Sequence, residues 1–266
     1  MDDWRSYDGI AKTYERVDAP HTAEVSPDLV ALAAPPAGGR ALDVGTGTGV
    51  TATAASAAMG SGSLVVGVDA SIEMLRAGTS ARAGLRAAAE AIDLPFRDGT
   101  FDLVTASFVL HHFAKVETAL FDLVRVLRPG GRLAVSTWAD VSDELTSTWH
   151  ELIEELVPHE ILAPTMDQVV PGRDRFRTRG PVEEALIGAG LNHVRTEPAQ
   201  YRFIYTIDEY VDSAAIGSAG RFARDMLGDE GLWRSFVDRA KATFAERFAD
   251  PLNDFHDVIL AVATKP

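Results

Sequence analysis

The sequence of 266 residues contains no cysteine. Disulfide bonds, thiolate zinc sites and iron–sulfur clusters are therefore excluded. Long apolar runs are also missing, since no stretch approaches the roughly 20 residues that a membrane-spanning helix needs. Apolar residues nevertheless make up 46% of the chain, and the mean hydropathy is +0.00. We therefore expect a globular fold with one core, or one core and a cap.

Basic residues are in the minority, with 25 Lys and Arg against 39 Asp and Glu and a formal net charge of −14. Non-specific nucleic-acid binding and anionic lipid surfaces both require a basic surface, so this balance argues against nucleic acid and membrane as partners. The first residues are acidic and polar and contain no signal-peptide core, which predicts a cytoplasmic location. A small-molecule partner remains, bound by a monomer or a homodimer.

Short apolar segments alternate with helical patterns from residue 40 to residue 138. Such alternation predicts an α/β fold in which a parallel sheet is covered by helices on both faces. Right-handed connections then give a doubly wound, Rossmann-like, mostly parallel sheet. Seven strands are predicted, at residues 40–44, 64–68, 85–88, 101–106, 132–138, 192–197 and 255–264.

The chain divides into five predicted parts. Two helices precede the first strand, with a break at Pro20 and a second helix from about Ser26. Helical insertions after the fifth and sixth strands are expected to form a lid over a site. The parts are residues 1–140 with the N-terminal helices and the cofactor-binding half, 141–170 as a first helical lid, 171–206 as a return to the core, 207–248 as a second helical lid and 249–266 as the final core strand.

Three glycines spaced by two, Gly45, Gly47 and Gly49, follow the first predicted strand and precede a helix. Glycine allows a tight turn and a close approach of the backbone to a ligand. A loop of this kind between a strand and a helix is typical of a nucleotide-cofactor site. A dinucleotide loop is also compatible, although its usual spacing is Gly-x-Gly-x-x-Gly.

Two acidic residues bear on which nucleotide is bound. Asp69 ends the second strand, where a carboxylate can accept both hydrogen bonds from a ribose diol, or else cap the next helix. Asp43 precedes the glycines, where it would repel a pyrophosphate and suit a cationic amino group. Residues 45–59 contain no Lys or Arg. The loop therefore favours a nucleoside cofactor without phosphates, although Asp43 could also brace the loop backbone.

The glycine loop, Asp69 and three later segments carry a resemblance to a known family. These later segments are residues 90–104, with Leu94-Pro95-Phe96 and Phe101-Asp102, residues 107–113 and residues 125–131. In this order they resemble the motifs of class I S-adenosylmethionine-dependent methyltransferases. The helix around Tyr14 is similar to that of ubiquinone/menaquinone-biosynthesis-type members. The motifs cover about residues 1–138, and the remainder matches only in outline.

The resemblance implies S-adenosyl-L-methionine, or S-adenosyl-L-homocysteine after transfer, as the cofactor. It implies contacts to the methionine part and ribose from the glycine loop and to the ribose hydroxyls from Asp69. It also implies that Asp43 orients the ammonium, directly or through water. It leaves open whether Glu90 or Asp93 reaches the adenine, and whether Tyr14 closes over the methionine or only packs. The implied cofactor-binding residues are Tyr14, Asp43, Gly45, Thr46, Gly47, Asp69, Ala70, Met74, Glu90, Ala91, Ser107 and Phe108.

The predicted function is methyl transfer to a small organic acceptor, on oxygen, nitrogen or carbon, in a secondary-metabolite or quinone context. His111 and His112, just past the fourth strand, are the candidate catalytic bases, although they could instead brace the loop. No metal is expected, because no Asp/Asn cluster for Mg²⁺ follows that strand. Candidate acceptor-pocket residues are Trp138, Trp149, Met166, Phe176, Tyr201, Phe203, Tyr205, Tyr210 and Phe222.

Two alternatives remain at this point. A dinucleotide-dependent dehydrogenase is disfavoured by Asp43 and by the Leu94-Pro95-Phe96 segment. A protein that keeps the cofactor pocket without transferring the methyl group, such as a binding module or a non-methylating cyclase, is compatible with the sequence because methyl transfer requires no particular side chain.

Overall fold

The computed structural model describes residues 7–79, 84–139, 143–162, 164 and 174–266. Two helices lead into a sheet whose strands alternate with helices. The helices are α1 Ala11–Val17, α2 Ala19–Ala33, α3 Val50–Met59, α4 Ile72–Ala77, α5 Val116–Val126, α6 Glu144–Glu154, α7 Arg179–Gly188, α8 Ile207–Ile216, α9 Ser218–Leu227 and α10 Glu230–Arg247. The strands are β1 Arg40–Val44, β2 Leu64–Asp69, β3 Leu85–Ala88, β4 Phe101–Ser107, β5 Leu127–Trp138, β6 Asn192–Tyr205 and β7 Leu252–Thr264.

The described strands form one seven-stranded sheet in the order β3-β2-β1-β4-β5-β7-β6. Strands β1 to β5 pair in parallel, and β7 runs antiparallel to both of its neighbours. The strand order reverses beside β1, which is the place where ligands bind in open α/β sheets. The doubly wound, mostly parallel fold predicted from the sequence is confirmed.

The sheet separates two apolar layers. Successive side chains of a strand point to opposite faces, so neighbours in β4 enter different layers. Leu103 belongs to the core that contains α2, α3 and the C-terminal helices, whereas Val104 belongs to the core beneath α5 and α7. Both side chains are fully buried. The parallel strands are therefore covered on both faces, as their continuous apolar sequences predict.

The N-terminal helices differ from the prediction at Pro20. Helix α2 begins at Ala19 rather than near Ser26, and Pro20 lies in its first turn. Proline is tolerated there because the first N–H groups of a helix have no partner within the helix. The interruption between α1 and α2 lies at Asp18, which ends the first helix and precedes the second. Pro20 therefore lies at the start of the second helix, and Asp18 lies at the junction between the two helices.

The last two strands are longer than predicted. The predicted strand at residues 192–197 continues to Tyr205 as one edge strand, β6, in which Pro198 is accommodated. Strand β7 begins at Leu252 instead of residue 255. In the antiparallel register Phe203 faces Asp254 and Tyr201 faces His256, so these side chains share one face of the sheet.

Three helices, α8 to α10, connect β6 to β7 within residues 207–248, and α6 lies within residues 141–170. Thr206 and Glu209 form a reciprocal capping box at the start of α8. Gly220 lies inside α9, where a Cβ would come within 2.4 Å of the Ala215 carbonyl oxygen. Within the described ranges, no helix has the length and apolarity to cross a bilayer.

Candidate functional site

The glycine loop is a tight turn at the carboxyl end of β1. Gly45, Gly47 and Gly49 all have positive φ angles, of 68°, 54° and 91°. A Cβ on Gly45 would lie 2.5 Å from Val109 Cγ2, so glycine is also required by packing against the loop after β4. The Thr46 amide donates to the Val68 carbonyl (2.9 Å), which ties the loop to the end of β2. The conformation is therefore fixed by the protein itself.

Asp43 lies behind this loop. Its carboxylate accepts hydrogen bonds from Thr46 Oγ1 (2.6 Å), Thr105 Oγ1 (2.7 Å) and the Ala52 amide (3.0 Å). Burial raises the pKa of Asp43 to about 6, against the effect of these three donors. Asp43 is absent from the described residues that line the adjoining cavity. The structure therefore shows Asp43 as a brace of the loop and of the first turn of α3, which is one of the two roles expected from the sequence. A role in orienting the cofactor ammonium, directly or through water, stays a prediction.

Asp69 ends β2 at the rim of the same loop. Its Oδ2 accepts from the Gly47 amide (2.7 Å), and its Oδ1 accepts from the Ser71 amide (2.8 Å). The next helix is capped instead by Ser71 Oγ, which accepts from the Met74 amide. Burial raises the pKa of the Asp69 carboxyl. Each oxygen retains a free lone pair, so the carboxylate can still accept from a diol.

One cavity of about 700 Å³ adjoins the loop. This volume lies in the range of about 300–1,000 Å³ that is typical of small-molecule sites. All of the site residues predicted from the sequence line it except Asp43, which bounds it from behind. The lining set is Tyr14, Gly45, Thr46, Gly47, Asp69, Ala70, Met74, Glu90, Ala91, Ser107, Phe108, His111 and His112.

Glu90, rather than Asp93, reaches the cavity from the loop after β3. The next part of that loop is held from behind by Asp122 and Arg125 of α5. Asp122 Oδ2 accepts from the Leu94 amide (2.6 Å), and the Arg125 guanidinium donates to the carbonyls of Leu94 (2.9 Å) and Phe96 (2.7 Å). The Leu94-Pro95-Phe96 segment is thus a structural support for the neighbouring cavity wall.

His111 and His112 lie in a short 3₁₀ turn after β4, with ring centroids 4.0 Å apart. Burial, and then the neighbouring His112, lower the pKa of His111 well below its usual value. His112 Nε2 is 3.0 Å from the Tyr7 hydroxyl. Burial therefore favours the neutral form of His111, and His112 connects this turn to the N-terminal segment. A role for either in proton transfer stays a prediction.

Phe108 precedes this turn with a φ of 54°, a conformation that is uncommon for residues other than glycine. Its amide donates to the Ser136 carbonyl (2.9 Å), and its ring stacks on Trp138 at 3.9 Å. Tyr14 lines the cavity from α1, and burial raises the pKa of its hydroxyl. The Tyr14 hydroxyl is thus protonated at neutral pH and available as a hydrogen-bond donor.

A second wall of the cavity contains polar residues that the sequence reasoning missed or named only as apolar lining. We call it the acidic wall: Asp18, His21, Tyr205, Ser213, Asp254 and His256. Ser213 Oγ donates to Asp18 Oδ1 (2.5 Å), and His256 Nε2 lies 2.8 Å from Asp254 Oδ2. These residues belong to segments far apart in the chain. Of this wall, the sequence indicated Tyr205 as a candidate pocket residue and placed His256 in the predicted strand at residues 255–264.

The aromatic residues proposed for the acceptor pocket fall into two groups. Trp138, Phe203, Tyr205 and Tyr210 line the cavity. The described residues lining it do not include Trp149, Phe176, Tyr201 or Phe222, and Phe176 is instead fully buried core. Met166 lies outside the described residues. Both insertions contribute, through Thr146 of α6 and through Ser213 and Ile216 of α8.

No metal centre emerges from the described residues, because they include no group of three His, Asp or Glu side chains placed to hold an ion.

Residues 42–135 match the family described as "Methyltransferase domain". A demethylmenaquinone methyltransferase of Roseiflexus castenholzii is 46% identical over 108 residues, which are 40% of this chain and 45% of the relative. The chain thus aligns with less than half of that relative's length.

Solved structures match over much more of the chain at lower identity. The YcgJ protein of Bacillus subtilis is 21% identical with a TM-score of 0.57, covering 91% of this chain and 98% of that protein. A putative type II methyltransferase of Anaeromyxobacter dehalogenans is 20% identical with a TM-score of 0.59, covering 92% and 97%. These likenesses concern the fold. The family match therefore concerns residues 42–135, which resemble a methyltransferase domain, and the solved structures extend the likeness in fold to most of the chain.

Proposed function

We propose that this protein transfers the methyl group of S-adenosylmethionine to a small organic acceptor. The observation that carries the proposal is the position of Asp69: its carboxylate is held by two backbone amides beside the glycine loop and lines the cavity. A fixed carboxylate there accepts from a ribose diol. The absence of Lys and Arg from residues 45–59 favours a nucleoside cofactor without phosphates.

Bound in this cavity, S-adenosylmethionine would supply a methyl group activated by its sulfonium. The residues of the chain then have three tasks. The glycine loop and Asp69 hold the cofactor, Glu90 and Met74 flank its base, and the protonated Tyr14 hydroxyl donates near its methionine end. Orientation and exclusion of water supply most of the catalysis that such a transfer needs.

The two helical insertions act as a lid in this proposal. Helix α8 and its junction with α9 contribute Ser213, Ala214, Ile216, Gly217 and Ser218 to the cavity lining. A cavity roofed in this way suits a small molecule better than a protein or a nucleic acid. An acceptor of the quinone type is compatible with the relative named above. Its 108 aligned residues cannot contain both Asp18 and Asp254, however, so the acidic wall has no counterpart established by that likeness.

The cofactor assignment is tested by calorimetric titration with S-adenosylhomocysteine. We expect saturable binding at one site, and Asp69→Ala should weaken it by about 1–3 kcal/mol, the scale of hydrogen bonds to a charged group. Asp93→Ala is the matched control, because Asp93 is exposed and adjoins the same loop without lining the cavity. Unchanged affinity in Asp69→Ala would refute the ribose assignment, and binding of NAD instead would favour a dehydrogenase.

Methyl transfer itself is tested separately. Incubation of the protein with methyl-labelled S-adenosylmethionine and a panel of small phenols, quinols and amines should release S-adenosylhomocysteine with at least one acceptor. Tight cofactor binding without transfer to any acceptor in the panel or in a small-molecule extract would favour the binding-only alternative.

A further inference from the structure

We propose that the acidic wall is the acceptor subsite and that it selects a protonated amine carried on a small apolar or aromatic molecule. The inference rests on the proposed function for its chemistry, but the binding that it predicts can be measured without methyl transfer. It is carried by the placement of two carboxylates and several aromatic faces in one wall of the cavity.

The acidic wall lies at the same edge of the sheet as the glycine loop. Tyr205 ends β6, and Asp254 and His256 lie near the start of the antiparallel strand β7. Asp18 lies at the break between α1 and α2. Three strand spacings separate β1 from β7, so the wall lies about 14 Å along this edge from the glycine loop. A cofactor at the loop and an acceptor at the wall can therefore occupy different parts of the same cavity.

Among the residues that the structure describes, no Lys or Arg forms an ion pair with either carboxylate of the wall. Asp254 is buried; its Oδ2 contacts His256, and its Oδ1 has no hydrogen-bond partner. Asp18 accepts from the neutral Ser213 hydroxyl, and burial raises the pKa of Asp18 to about 6. Among the described residues that line the cavity, the only Lys or Arg is Lys115, in the loop that follows His112. Buried carboxylates without a counter-charge favour a ligand that brings one.

Aromatic rings surround these carboxylates. The His256 ring lies 5.1 Å from both Trp138 and Phe203, and Trp138 meets Phe203 edge to face at 6.3 Å. Tyr205 and Tyr210 are 5.8 Å apart. Burial raises the pKa of Tyr205, and the charges of Asp18 and Asp254 raise it further. Ring faces attract cations and also bury an apolar scaffold.

Other ligand classes fit this wall less well. A carboxylate or phosphate would meet two negative charges with no adjacent cation. A neutral alcohol could accept or donate hydrogen bonds but would leave the carboxylates without a counter-charge. The described part of the wall has no arrangement of three ligands for a metal ion. A cationic amine on an apolar or aromatic scaffold can pair with the carboxylates and pack against the aromatic rings at the same time.

The transfer step balances with the groups of the wall. The bound ammonium gives one proton to the His256 imidazole, whose Nε2 is held by Asp254. With S-adenosylmethionine bound, the freed nitrogen lone pair would form the N–C bond as the C–S bond breaks, and the electrons of that bond would remain on sulfur. The product would leave as the N-methylammonium ion beside neutral S-adenosylhomocysteine, and His256 would return its proton to solvent.

The test compares three ligands of one shape, 2-phenylethylamine, 2-phenylethanol and phenylacetate, by calorimetry at neutral pH with and without saturating S-adenosylhomocysteine. We expect the amine to bind roughly tenfold more tightly than the alcohol, because a charge-assisted hydrogen bond replaces a neutral one. Phenylacetate should show no binding. Equal or tighter binding of the alcohol or of phenylacetate would overturn the proposal.

Substitutions in the acidic wall test whether its carboxylates cause the preference for the amine. Asp254→Asn should abolish the preference for the amine over the alcohol, whereas Asp257→Asn should keep it, since Asp257 is exposed on the same strand and bonds Gln200. If Asp254→Asn does not fold, Asp18→Asn provides a second test, and it should reduce the preference for the amine over the alcohol. Retention of the full preference in whichever of these two wall variants folds would reject the wall as its source. Failure of S-adenosylhomocysteine to bind would instead count against the proposed function, and the ligand series without it would still test the wall.

Discussion

The carboxylates on the cofactor side of the cavity and those of the acidic wall are held in opposite ways. Asp43 accepts from three donors and Asp69 from two backbone amides, so their positions are fixed by the chain. Asp254 has one oxygen without a hydrogen bond, and Asp18 accepts from one hydroxyl. The first side is complete as folded, and the second has charge that a ligand can neutralise. Under the proposed function, this difference separates a rigid cofactor site from a site that discriminates between acceptors.

The largest effect is expected from removal of the Asp43 carboxylate on the cofactor side. Asp43→Ala leaves the buried Ala52 amide and two threonine hydroxyls without their acceptor. We expect a loss of about 3–5 kcal/mol in the free energy of unfolding, together with loss of S-adenosylhomocysteine binding. Urea denaturation and calorimetry measure the two quantities.

Asp43→Asn retains one carbonyl acceptor and should lose less stability than Asp43→Ala. A loss below about 1 kcal/mol in Asp43→Ala would contradict the bracing role. Loss of binding at full stability would instead indicate direct contact with the cofactor, as the family resemblance implies.

The second prediction concerns packing beneath the glycine loop. Gly45→Ala places a Cβ 2.5 Å from Val109 Cγ2 at a φ of 68°, and we expect a loss of about 2–4 kcal/mol in unfolding free energy. Gly38→Ala is the matched control, because its φ is also 68° and no atom lies within 4 Å of the added Cβ. It should lose only about 1 kcal/mol.

A second substitution separates the clash from the backbone strain. Val109→Ala in the Gly45→Ala background should recover part of the stability, because it removes the methyl groups that the new Cβ meets. Equal losses in Gly45→Ala and Gly38→Ala would show that φ alone makes residue 45 a glycine.

The same contrast explains how much the sequence could predict. The strand order, the glycine loop and Asp69 are encoded in continuous segments whose periodicity and spacing have a direct physical meaning. The position of Asp43 depends on which donors surround it, and Thr105 is 62 residues away. The acidic wall requires the junction at Asp18, the end of β6 and the start of β7 to meet. That meeting depends on the antiparallel register of the last strands, which the pattern of residues 192–197 and 255–264 predicts only in part.

The third prediction concerns the ionisation of the Asp18 carboxyl in the acidic wall. Burial raises the pKa of Asp18 to about 6 from 3.8, so the folded state binds this proton more tightly than the unfolded chain. The resulting stability is fully present below about pH 4 and is lost as the pH rises through about 6. Asp18→Asn lacks this term, so its stability relative to the parent protein should improve by about 1–2 kcal/mol between about pH 4.5 and about pH 7.5.

Urea denaturation at the two pH values measures this change. The raised pKa of Asp43 acts over the same pH range in both proteins and cancels in the difference. Asp257→Asn should show no such relative gain. A constant difference between Asp18→Asn and the parent would mean that the Asp18 carboxylate is solvated in the folded protein.

The smallest effect is expected from substitution of Tyr7, which contacts both the turn after β4 and the second insertion. Its hydroxyl is 3.0 Å from His112 Nε2, and its ring lies 4.5 Å beneath the guanidinium of Arg221 in α9. Tyr7→Phe removes the hydroxyl and keeps the ring, so S-adenosylhomocysteine affinity should fall by about 0.5–1.5 kcal/mol. Tyr7→Ala also removes the contact between the ring and Arg221 and should reduce affinity further. Helix α9 belongs to the second insertion. An equal loss of affinity in the two variants would therefore mean that the Tyr7 ring does not couple this insertion to the cofactor side. The hydrogen bond between the Tyr7 hydroxyl and His112 would then carry the whole effect of Tyr7 on affinity.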